Sequence, residues 1–291
     1  MSPLERLRLL PHEIVFGAFL VYAWVRLALA QGVAGGQSLL YLGMIVVNGA
    51  AILWCRRRET NVRWRIRLLV YPILMNVSFF GMGAAVGAMH PGKEDALLER
   101  IDQALVGTTP CLALESLVAP VLTEALSLCY ILFFPYLTIS MIYYLCGDLG
   151  TLKKFFAGLF TIYGFGFIGY SLLPAAGPYI AMADRFTVPL EGGWITALNH
   201  QVVLKGSNGV DVFPSLHCAL SCFILFFDFM HKRRRFYFYA VPCAGLWVST
   251  IYLRYHYLVD VIVGFALSAA CLWMASRFGK NEDPHEPAPG V

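Results

Sequence analysis

The sequence predicts an all-α membrane protein, a polytopic bundle of about eight transmembrane helices. Hydrophobic residues make up 58% of the 291 residues, and only 14% of the residues are charged. So few charged side chains cannot cover the surface of a water-soluble domain of this length. Apolar runs long enough to cross a bilayer as helices also recur along the whole chain.

Polar or helix-breaking residues separate the predicted spans. The spans cover residues 14–30, 38–55, 68–89, 121–145, 155–173, 212–230, 236–253 and 257–276. Arg26 lies inside the first run and favours a retained span over a cleaved signal peptide. Pro135 predicts a kink in the fourth span, because proline removes a backbone donor.

The connections between the spans carry further signals. Residues 93–106 alternate apolar and charged side chains at helical spacing and are too polar to span, so they predict an amphipathic surface helix. Pro174, Gly177 and Pro178 prevent the fifth span from continuing. Residues 179–211 form the longest polar connection, and a connection of this length in a compact protein is usually functional.

Basic residues predict the topology. Arginines and lysines concentrate in residues 56–67, 147–154 and 231–235, which the positive-inside rule assigns to the cytoplasm together with both termini. The loop after Pro174, the start of the sixth span and the turn near His256 then all lie on the extracytoplasmic side. Topology accounts for the arginine-rich loop, so no nucleic-acid partner is expected.

The strongest chemical signal lies between residues 249 and 260. His256 and Asp260 are four positions apart, so a helix starting near Tyr257 places them on one face. The carboxylate can then orient the imidazole as a nucleophile or base, and His217 supplies a second imidazole on the same predicted side. Ionisable groups at membrane depth are costly and are functional candidates by default.

Two histidines in different roles suit the cleavage of a phosphate ester. His256 would attack phosphorus, and His217 would protonate the departing oxygen. Arg254, Lys205 and the free backbone N–H groups where the sixth span begins, at Ser215 and Leu216 after Pro214, are candidates to hold the phosphate oxygens. The eight cysteines show neither a CxxC pair nor zinc-ligand spacing, so no metal and no cofactor is predicted.

These residues resemble the type 2 phosphatidic acid phosphatase superfamily. The resemblance lies in Phe-Pro-Ser-Leu-His at 213–217 and in Ser-Thr-x5-His-x3-Asp at 249–260. The Pro-Ala-Ala-Gly-Pro bend at 174–178, with Ile-Asp at 101–102 and Gly-Thr-Thr-Pro at 107–110, is most similar to the inositol phosphorylceramide synthase branch and its bacterial relatives.

The resemblance implies roles for five residues. His256 forms a phosphohistidine, Asp260 supports it, His217 protonates the leaving group, and Ser215 and Ser249 lie beside the phosphate. It also implies a domain plan, in which 68–276 form a six-helix catalytic core. Two additional helices and a basic loop at 1–67 precede this core, and a disordered cytoplasmic tail at 277–291 follows it.

The sequence departs from the superfamily pattern at the phosphate site. Thr250 stands where the superfamily has a phosphate-binding arginine, so that task falls to Arg254 on the same segment. The first superfamily motif, a lysine followed seven residues later by Arg-Pro, is not visible, and Lys205 is a weak substitute for it.

The expected function is therefore that of an integral membrane lipid phosphotransferase or phosphatase similar to inositol phosphorylceramide synthase. Its partners are a membrane lipid substrate and, in the transferase form, inositol or another polar alcohol. Three alternatives stay open. Water can be the acceptor, with phosphatidic acid or a polyprenyl phosphate as substrate; the protein can bind or transport lipid without catalysis; or the two histidines can hold a haem.

Overall fold

A computed structural model describes residues 9–277, and these residues fold into helices joined by short connections. The topology prediction counts Arg6 and Arg8 with the cytoplasmic N-terminus. These two arginines and the predicted tail beyond Arg277 lie outside the described residues. The helices are α1 (Pro11–Gln31), α2 (Gly36–Arg57), α3 (Asn61–Met89), α4 (Asp95–Val106), α5 (Pro110–Ala113), α6 (Pro120–Ile131), α7 (Phe133–Leu145), α8 (Leu149–Leu172), α9 (Pro178–Ala181), α10 (Trp194–Gly206), α11 (Leu216–His231), α12 (Arg233–Tyr252) and α13 (Leu258–Arg277), with 3₁₀ turns at Leu114–Leu117 and Ala183–Arg185.

The protein is a multi-pass membrane protein by the length and composition of its helices. Within residues 9–277, six segments are long and apolar enough to cross a bilayer: α1, α2, α3, α6 with α7, α8 and α13. The predicted count of eight is not confirmed. Helix α11 has 16 residues, which rise only about 24 Å against a hydrocarbon core of about 30 Å, and α12 begins with three arginines.

Several predicted boundaries are wrong, for identifiable reasons. Helix α3 begins at Asn61, so the arginines at 63–67 lie in its first two turns rather than in a loop. The sixth predicted span begins at Leu216 instead of residue 212, because Ser215 caps the helix after Pro214. The long connection at 179–211 contains a helix, α10.

A one-residue break between α6 and α7 lies close to Pro135, where the sequence predicts a kink. The two helices meet at Leu132. Proline at 135 has no N–H to donate to the carbonyl of Ile131 and its ring crowds that turn. The fourth predicted span therefore consists of two helices.

Helix α8 is the central element and brings the start of α11 into the core. It packs against α1, α3, α11 and α13. A Cβ atom at Gly166 would lie 2.5 Å from Leu216, and one at Gly169 would lie 2.5 Å from the ring of Pro214. Glycine at these two positions therefore lets the segment that precedes His217 rest directly on α8.

A buried ion pair joins the first and third helices. The Arg67 guanidinium donates to both carboxylate oxygens of Glu13, with 2.7 Å from Nε to Oε1, and both side chains are fully buried. The second Glu13 oxygen also accepts from the backbone N–H of Leu10 at 2.7 Å. These bonds fix the start of α1 against α3, which together with α8 forms one apolar cluster.

Two carboxylates of the amphipathic helix α4 hold the backbone at the opposite end of the bundle. Asp95 accepts from the backbone N–H groups of Ala176 and Gly177 at 2.9–3.2 Å. Asp102 accepts from those of Leu258 and Val259 at 2.7 and 2.9 Å. Burial raises the pKa of Asp102, and the two N–H bonds oppose that rise. Helix α4 therefore connects the bend after α8 to the start of α13.

We expect Glu13→Gln to destabilise the bundle strongly. Removing one partner of a buried pair leaves the other charge without compensation, at a cost of about 3–5 kcal/mol. The midpoint of thermal unfolding in detergent should fall accordingly, and the double variant Glu13→Leu/Arg67→Met should recover most of the loss. Glu191→Gln, an exposed carboxylate, is the matched control. An unchanged unfolding midpoint in Glu13→Gln would contradict a stabilising role for the Glu13–Arg67 ion pair.

We expect Asp102→Ala to loosen the first turn of α13. Two backbone N–H groups would lose their acceptor, at a cost of about 1–3 kcal/mol for an unsatisfied buried group. Amide hydrogen exchange at Leu258 and Val259 should therefore accelerate. The control is Asp148→Ala, which removes the N-cap of α8 at the other end of the bundle and should leave exchange at 258–259 unchanged. Equal protection in both variants would disprove the role of Asp102.

Candidate active site

His217 lies in the first turn of α11, where its ring faces aromatic side chains of α6 and α7. The Nε2 atom is 3.2 Å from the hydroxyl oxygen of Tyr130. The ring centroid is 4.8 Å from those of Tyr130 and Phe133. Ser215 caps the helix by accepting from the N–H of Cys218. The cap and the aromatic contacts together fix the direction of the imidazole.

His256 lies in the turn between α12 and α13, and a carboxylate lies behind it. Its Nδ1 atom is 3.5 Å from Oδ2 of Asp260, and both side chains are buried. That separation is ion-pair distance but longer than a normal hydrogen bond. Within residues 9–277, Nδ1 of His256 and Oδ1 of Asp260 have no hydrogen-bond partner. Loose contacts of this kind tighten in many enzymes when substrate binds.

Backbone contacts place this pair beside His217. Oδ2 of Asp260 accepts from the N–H of Tyr257 at 2.9 Å and so closes the first turn of α13. The carbonyl oxygen of Asp260 accepts from the N–H of Ser215 at 3.0 Å. The start of α13 is thereby joined to the residue that caps α11. As a result, the His217 and His256 ring centroids lie 5.8 Å apart.

The turn that carries His256 is tight. The carbonyl oxygen of Thr250 accepts from the backbone N–H groups of Tyr255 and His256, each at 3.0 Å. Arg254 adopts a left-handed conformation, with φ of 67°, which a non-glycine residue adopts at some energetic cost. Its carbonyl oxygen accepts from the N–H of Tyr179 at 2.8 Å. The path of the turn is thus set by backbone bonds on both sides of Arg254.

Both imidazoles line one small cavity. The walls combine aromatic hydroxyl groups with a small number of polar and apolar side chains. The lining residues are Tyr130, Ala176, Tyr179, Val203, Ser207, Asp211, Val212, His217, Tyr255 and His256. The lining therefore contains two imidazoles and one carboxyl group, and no lysine or arginine from the described part of the chain.

The predicted phosphate-binding residues do not line this cavity. Arg254 donates to Oε1 of Glu115 at 3.2 Å and to the carbonyl of Val188 at 2.5 Å, and it stacks on Phe186 at 3.9 Å. Lys205 is exposed near the end of α10. The structure therefore places both cations outside the space between the histidines.

The two serines are buried beside the cavity rather than in it. The Ser215 hydroxyl caps α11, and the Ser249 hydroxyl donates to the carbonyl of Leu246 at 2.7 Å. The structure thus brings together His217, His256 and Asp260, and it gives local backbone partners to both serines. Their contact with phosphate stays a prediction.

Sequence reasoning did not single out Tyr130 or Asp211, which line the cavity, or Asp95, which lies outside it. Tyr130 contacts His217, and Asp211 lies in the same cavity as His256. Asp95 accepts from the N–H groups of the 174–178 bend and from the hydroxyl of Tyr257 at 3.1 Å. Asp211 stands only six positions before His217, and this proximity is the one signal in the sequence that pointed to it.

Comparisons with known proteins match much of the chain to one family. The family model described as the PAP2 superfamily matches residues 96–274. The phosphoinositol dihydroceramide synthase of Bacteroides thetaiotaomicron is 30% identical over 129 residues, which is 39% of this chain and 42% of the relative. The match thus spans less than half the length of that curated relative. No solved structure matches the chain.

The matched residues contain α4 except its first residue, Asp95, together with both histidines, Asp260 and the cavity between the histidines. The match covers more than half of the chain and confirms the resemblance predicted from the motifs at 213–217 and 249–260. The protein belongs to the PAP2 superfamily.

Proposed function

We propose that the protein is a membrane enzyme that transfers or hydrolyses a phosphate ester of a lipid through a covalent phosphohistidine on His256. The observation that carries this proposal is the 5.8 Å separation of the His217 and His256 rings across one cavity. Reacting atoms in a bound substrate lie about 3–3.5 Å from the groups that act on them. At this ring separation, one phosphorus atom can lie between a nucleophilic nitrogen on one ring and a proton donor on the other.

The surroundings of the two rings support different roles for them. Asp260 lies 3.5 Å behind Nδ1 of His256, so the carboxylate can fix the tautomer and stabilise the imidazolium that forms when the other ring nitrogen bonds to phosphorus. His217 has Tyr130 at its Nε2 atom and no carboxylate behind it. It is the group that gives a proton to the departing oxygen.

The charge of the cavity favours a phosphodiester donor. A phosphomonoester carries up to two negative charges and a diester carries one. Among the described residues no guanidinium or ammonium lines the cavity, so only the imidazoles can offset that charge. A phosphodiester with one negative charge therefore fits the cavity better as donor than a doubly charged phosphomonoester does. The name of the similar Bacteroides protein, a phosphoinositol dihydroceramide synthase, supports transfer from a phosphodiester.

The acceptor distinguishes the two forms of the reaction. An alcohol that attacks the phosphohistidine makes the enzyme a transferase, similar to an inositol phosphorylceramide synthase, and water makes it a phosphatase. His217, His256 and Asp260 serve both reactions. Hydrolysis of phosphatidic acid or a polyprenyl phosphate is therefore the alternative to transfer.

We also propose that the cavity faces the extracytoplasmic side. Arg56 and Arg57 end α2, and Arg65 of α3 donates to the carbonyls of Leu145 and Gly147 at the start of the next basic turn. The basic turns therefore share one end of the bundle, while α11 and α13 begin at the other end. The positive-inside rule assigns the basic end to the cytoplasm.

The covalent step is tested with a lipid carrying a labelled phosphate. Wild-type protein should form an acid-labile phosphoenzyme, and His256→Asn should form none. His217→Gln should slow turnover by about 10²–10⁴-fold, the usual contribution of a general acid. His200→Gln, an exposed histidine on α10, is the control. Full turnover in His256→Asn would end the proposal and favour a protein that binds or transports lipid without catalysis.

For Arg254 we propose a positioning role, because its guanidinium is engaged by Glu115 and by the Val188 carbonyl. Hydrogen bonds from the N–H groups of Val188 and Thr187 keep the pKa of Glu115 below its ordinary value, so this carboxylate is charged at neutral pH. Arg254 thereby ties the His256 turn to the segment around Val188.

Arg254→Gln and Glu115→Gln should lower turnover by similar factors, about tenfold each, and the double variant should be no worse than either single one. Residues that act through one contact show such non-additivity. Direct contact with phosphate, as predicted from the sequence, would instead raise KM in Arg254→Gln alone. Steady-state kinetics of the three variants decides between these roles.

A further inference from the structure

The hydroxyl group of Tyr130 lies beside a ring nitrogen of His217. The Tyr130 oxygen is 3.2 Å from Nε2 of His217, and both side chains line the cavity that also contains His256. The two rings are tilted by 32° with their centroids 4.8 Å apart, so the phenol lies alongside the imidazole rather than at the end of it. An imidazole N–H bond lies in the plane of its ring. The phenol therefore does not block the direction in which Nε2 would donate.

Packing holds Tyr130 in this position. It is the second-last residue of α6 and is only 4% exposed. Its ring contacts those of His217 and Tyr255, with centroids 4.8 Å apart in each case. Near the start of α6, the Thr123 hydroxyl lies 3.0 Å from the hydroxyl oxygen of Tyr252, the last residue of α12. The phenol is thus fixed before substrate binds, as an effective transition-state donor must be.

Other hydroxyl groups of the cavity have different surroundings. The Ser207 hydroxyl donates to Asp211 at 2.7 Å, and the Tyr255 hydroxyl accepts from an asparagine of α10 at 3.1 Å. Among the described residues that line the cavity, only Tyr130 places a hydroxyl at hydrogen-bond distance from an imidazole nitrogen. It is therefore the hydroxyl best placed to act on the same atom as His217.

The departing oxygen is the atom that most needs a second donor. In the proposed reaction a ring nitrogen of His256 bonds to phosphorus, the bond from phosphorus to the departing oxygen breaks, and its electron pair stays on that oxygen. For a lipid this oxygen becomes an alkoxide, which departs poorly unless it gains a proton. Hydrogen-bonded oxygens lie about 2.5–3.2 Å from their donors. One oxygen can therefore reach both the Tyr130 hydroxyl and Nε2 of His217.

We propose that Tyr130 is a catalytic residue whose hydroxyl donates a hydrogen bond to the departing oxygen, beside His217. His217 transfers its proton to that oxygen, and Tyr130 keeps its own proton. The hydroxyl stabilises the charge that develops while the bond breaks, in a lining that has no lysine or arginine from the described residues. This inference rests on the proposed function, because it concerns the step that forms the phosphohistidine.

A role in packing alone is the competing explanation. Tyr130→Phe keeps the ring and removes only the hydroxyl, so it leaves the contacts with His217 and Tyr255 in place. A packing defect would slow every substrate by the same factor, whereas a bond to the departing atom depends on what that atom is. Sulfur in place of the departing oxygen leaves as a thiolate, which accepts hydrogen bonds weakly and holds its proton far less tightly than an alkoxide does.

The test measures single-turnover formation of phosphoenzyme by the purified full-length protein. The donor is phosphatidylinositol or phosphatidic acid, whichever the wild type uses faster, and it is compared with the analogue in which sulfur replaces the departing oxygen. Tyr130→Phe should slow the oxygen ester by about 10²-fold, the usual loss for one transition-state donor. The sulfur ester should react at close to the wild-type rate. A misfolded fraction would lower both rates equally and cannot produce this difference.

Tyr136→Phe is the matched control. It removes a phenol hydroxyl that is equally buried but lies outside the cavity lining, on α7. That hydroxyl donates to Oδ2 of Asp228 at 3.1 Å. Any loss of rate in this variant is structural, so it should be the same for the oxygen and the sulfur ester.

A second arm separates direct contact from an action through His217. In the His217→Gln protein, adding Tyr130→Phe should slow the oxygen ester further, because the hydroxyl still reaches the departing oxygen. No further loss in the double variant would make Tyr130 a positioning residue for His217 and would overturn its catalytic role.

Failure of this inference is distinguishable from failure of the proposed function. If the wild type forms phosphoenzyme but Tyr130→Phe slows both esters by the same factor, or slows neither, the hydroxyl has no part in bond cleavage while the covalent mechanism stands. If the wild type forms no phosphoenzyme from either ester, the proposed function fails, and the role of Tyr130 fails with it.

Discussion

The site depends on two buried carboxylates that bind backbone N–H groups across the end of the bundle. Asp95 and Asp102 share helix α4, and through it the bend after α8 and the start of α13 keep a fixed separation. Charged acceptors make shorter and stronger bonds than neutral ones. Since His256 directly precedes the turn that Asp102 holds, its position depends on a helix that contributes no residue to the cavity.

The other end of the molecule uses a charged pair for a similar purpose. Glu13 and Arg67 lie among apolar side chains of α1, α3 and α8, where an isolated charge would be very costly. Such a pair tolerates only one alignment of the helices that carry it. The N-terminal helices, outside the matched residues 96–274, are thereby fixed to α8, on which α11 also packs.

The sequence predicted the helical membrane fold and the convergence of three site residues, because both follow from short-range patterns. Apolar runs indicate membrane spans. A spacing of four residues between His256 and Asp260 keeps their side chains close whatever the surrounding fold. To predict that His217 lies near His256, it was enough to predict that α11 and α13 begin at the same end of the bundle. Boundaries were predicted less well. At Arg67 the charge that suggested a loop is neutralised by Glu13, which is 54 positions away in the sequence.

The direction of Arg254 could not be predicted, and for Asp211 the sequence offered only its proximity to His217. Each depends on a residue distant in sequence. Arg254 turns away because its backbone takes a left-handed conformation and Glu115 lies within reach. Asp211 enters the cavity because Ala175 pairs with its backbone. Neither contact leaves a pattern in the segments that carry these residues.

These two placements together determine the charge of the cavity. The superfamily position for a phosphate-binding arginine is occupied by Thr250, whose carbonyl holds the backbone of His256. The guanidinium of Arg254 lies outside the cavity, where it contacts Glu115 and the carbonyl of Val188. Among the described residues, the lining of the cavity therefore contains two imidazoles and a carboxyl group but no lysine or arginine. In the proposed reaction, such a cavity favours a phosphodiester donor over a doubly charged phosphate monoester.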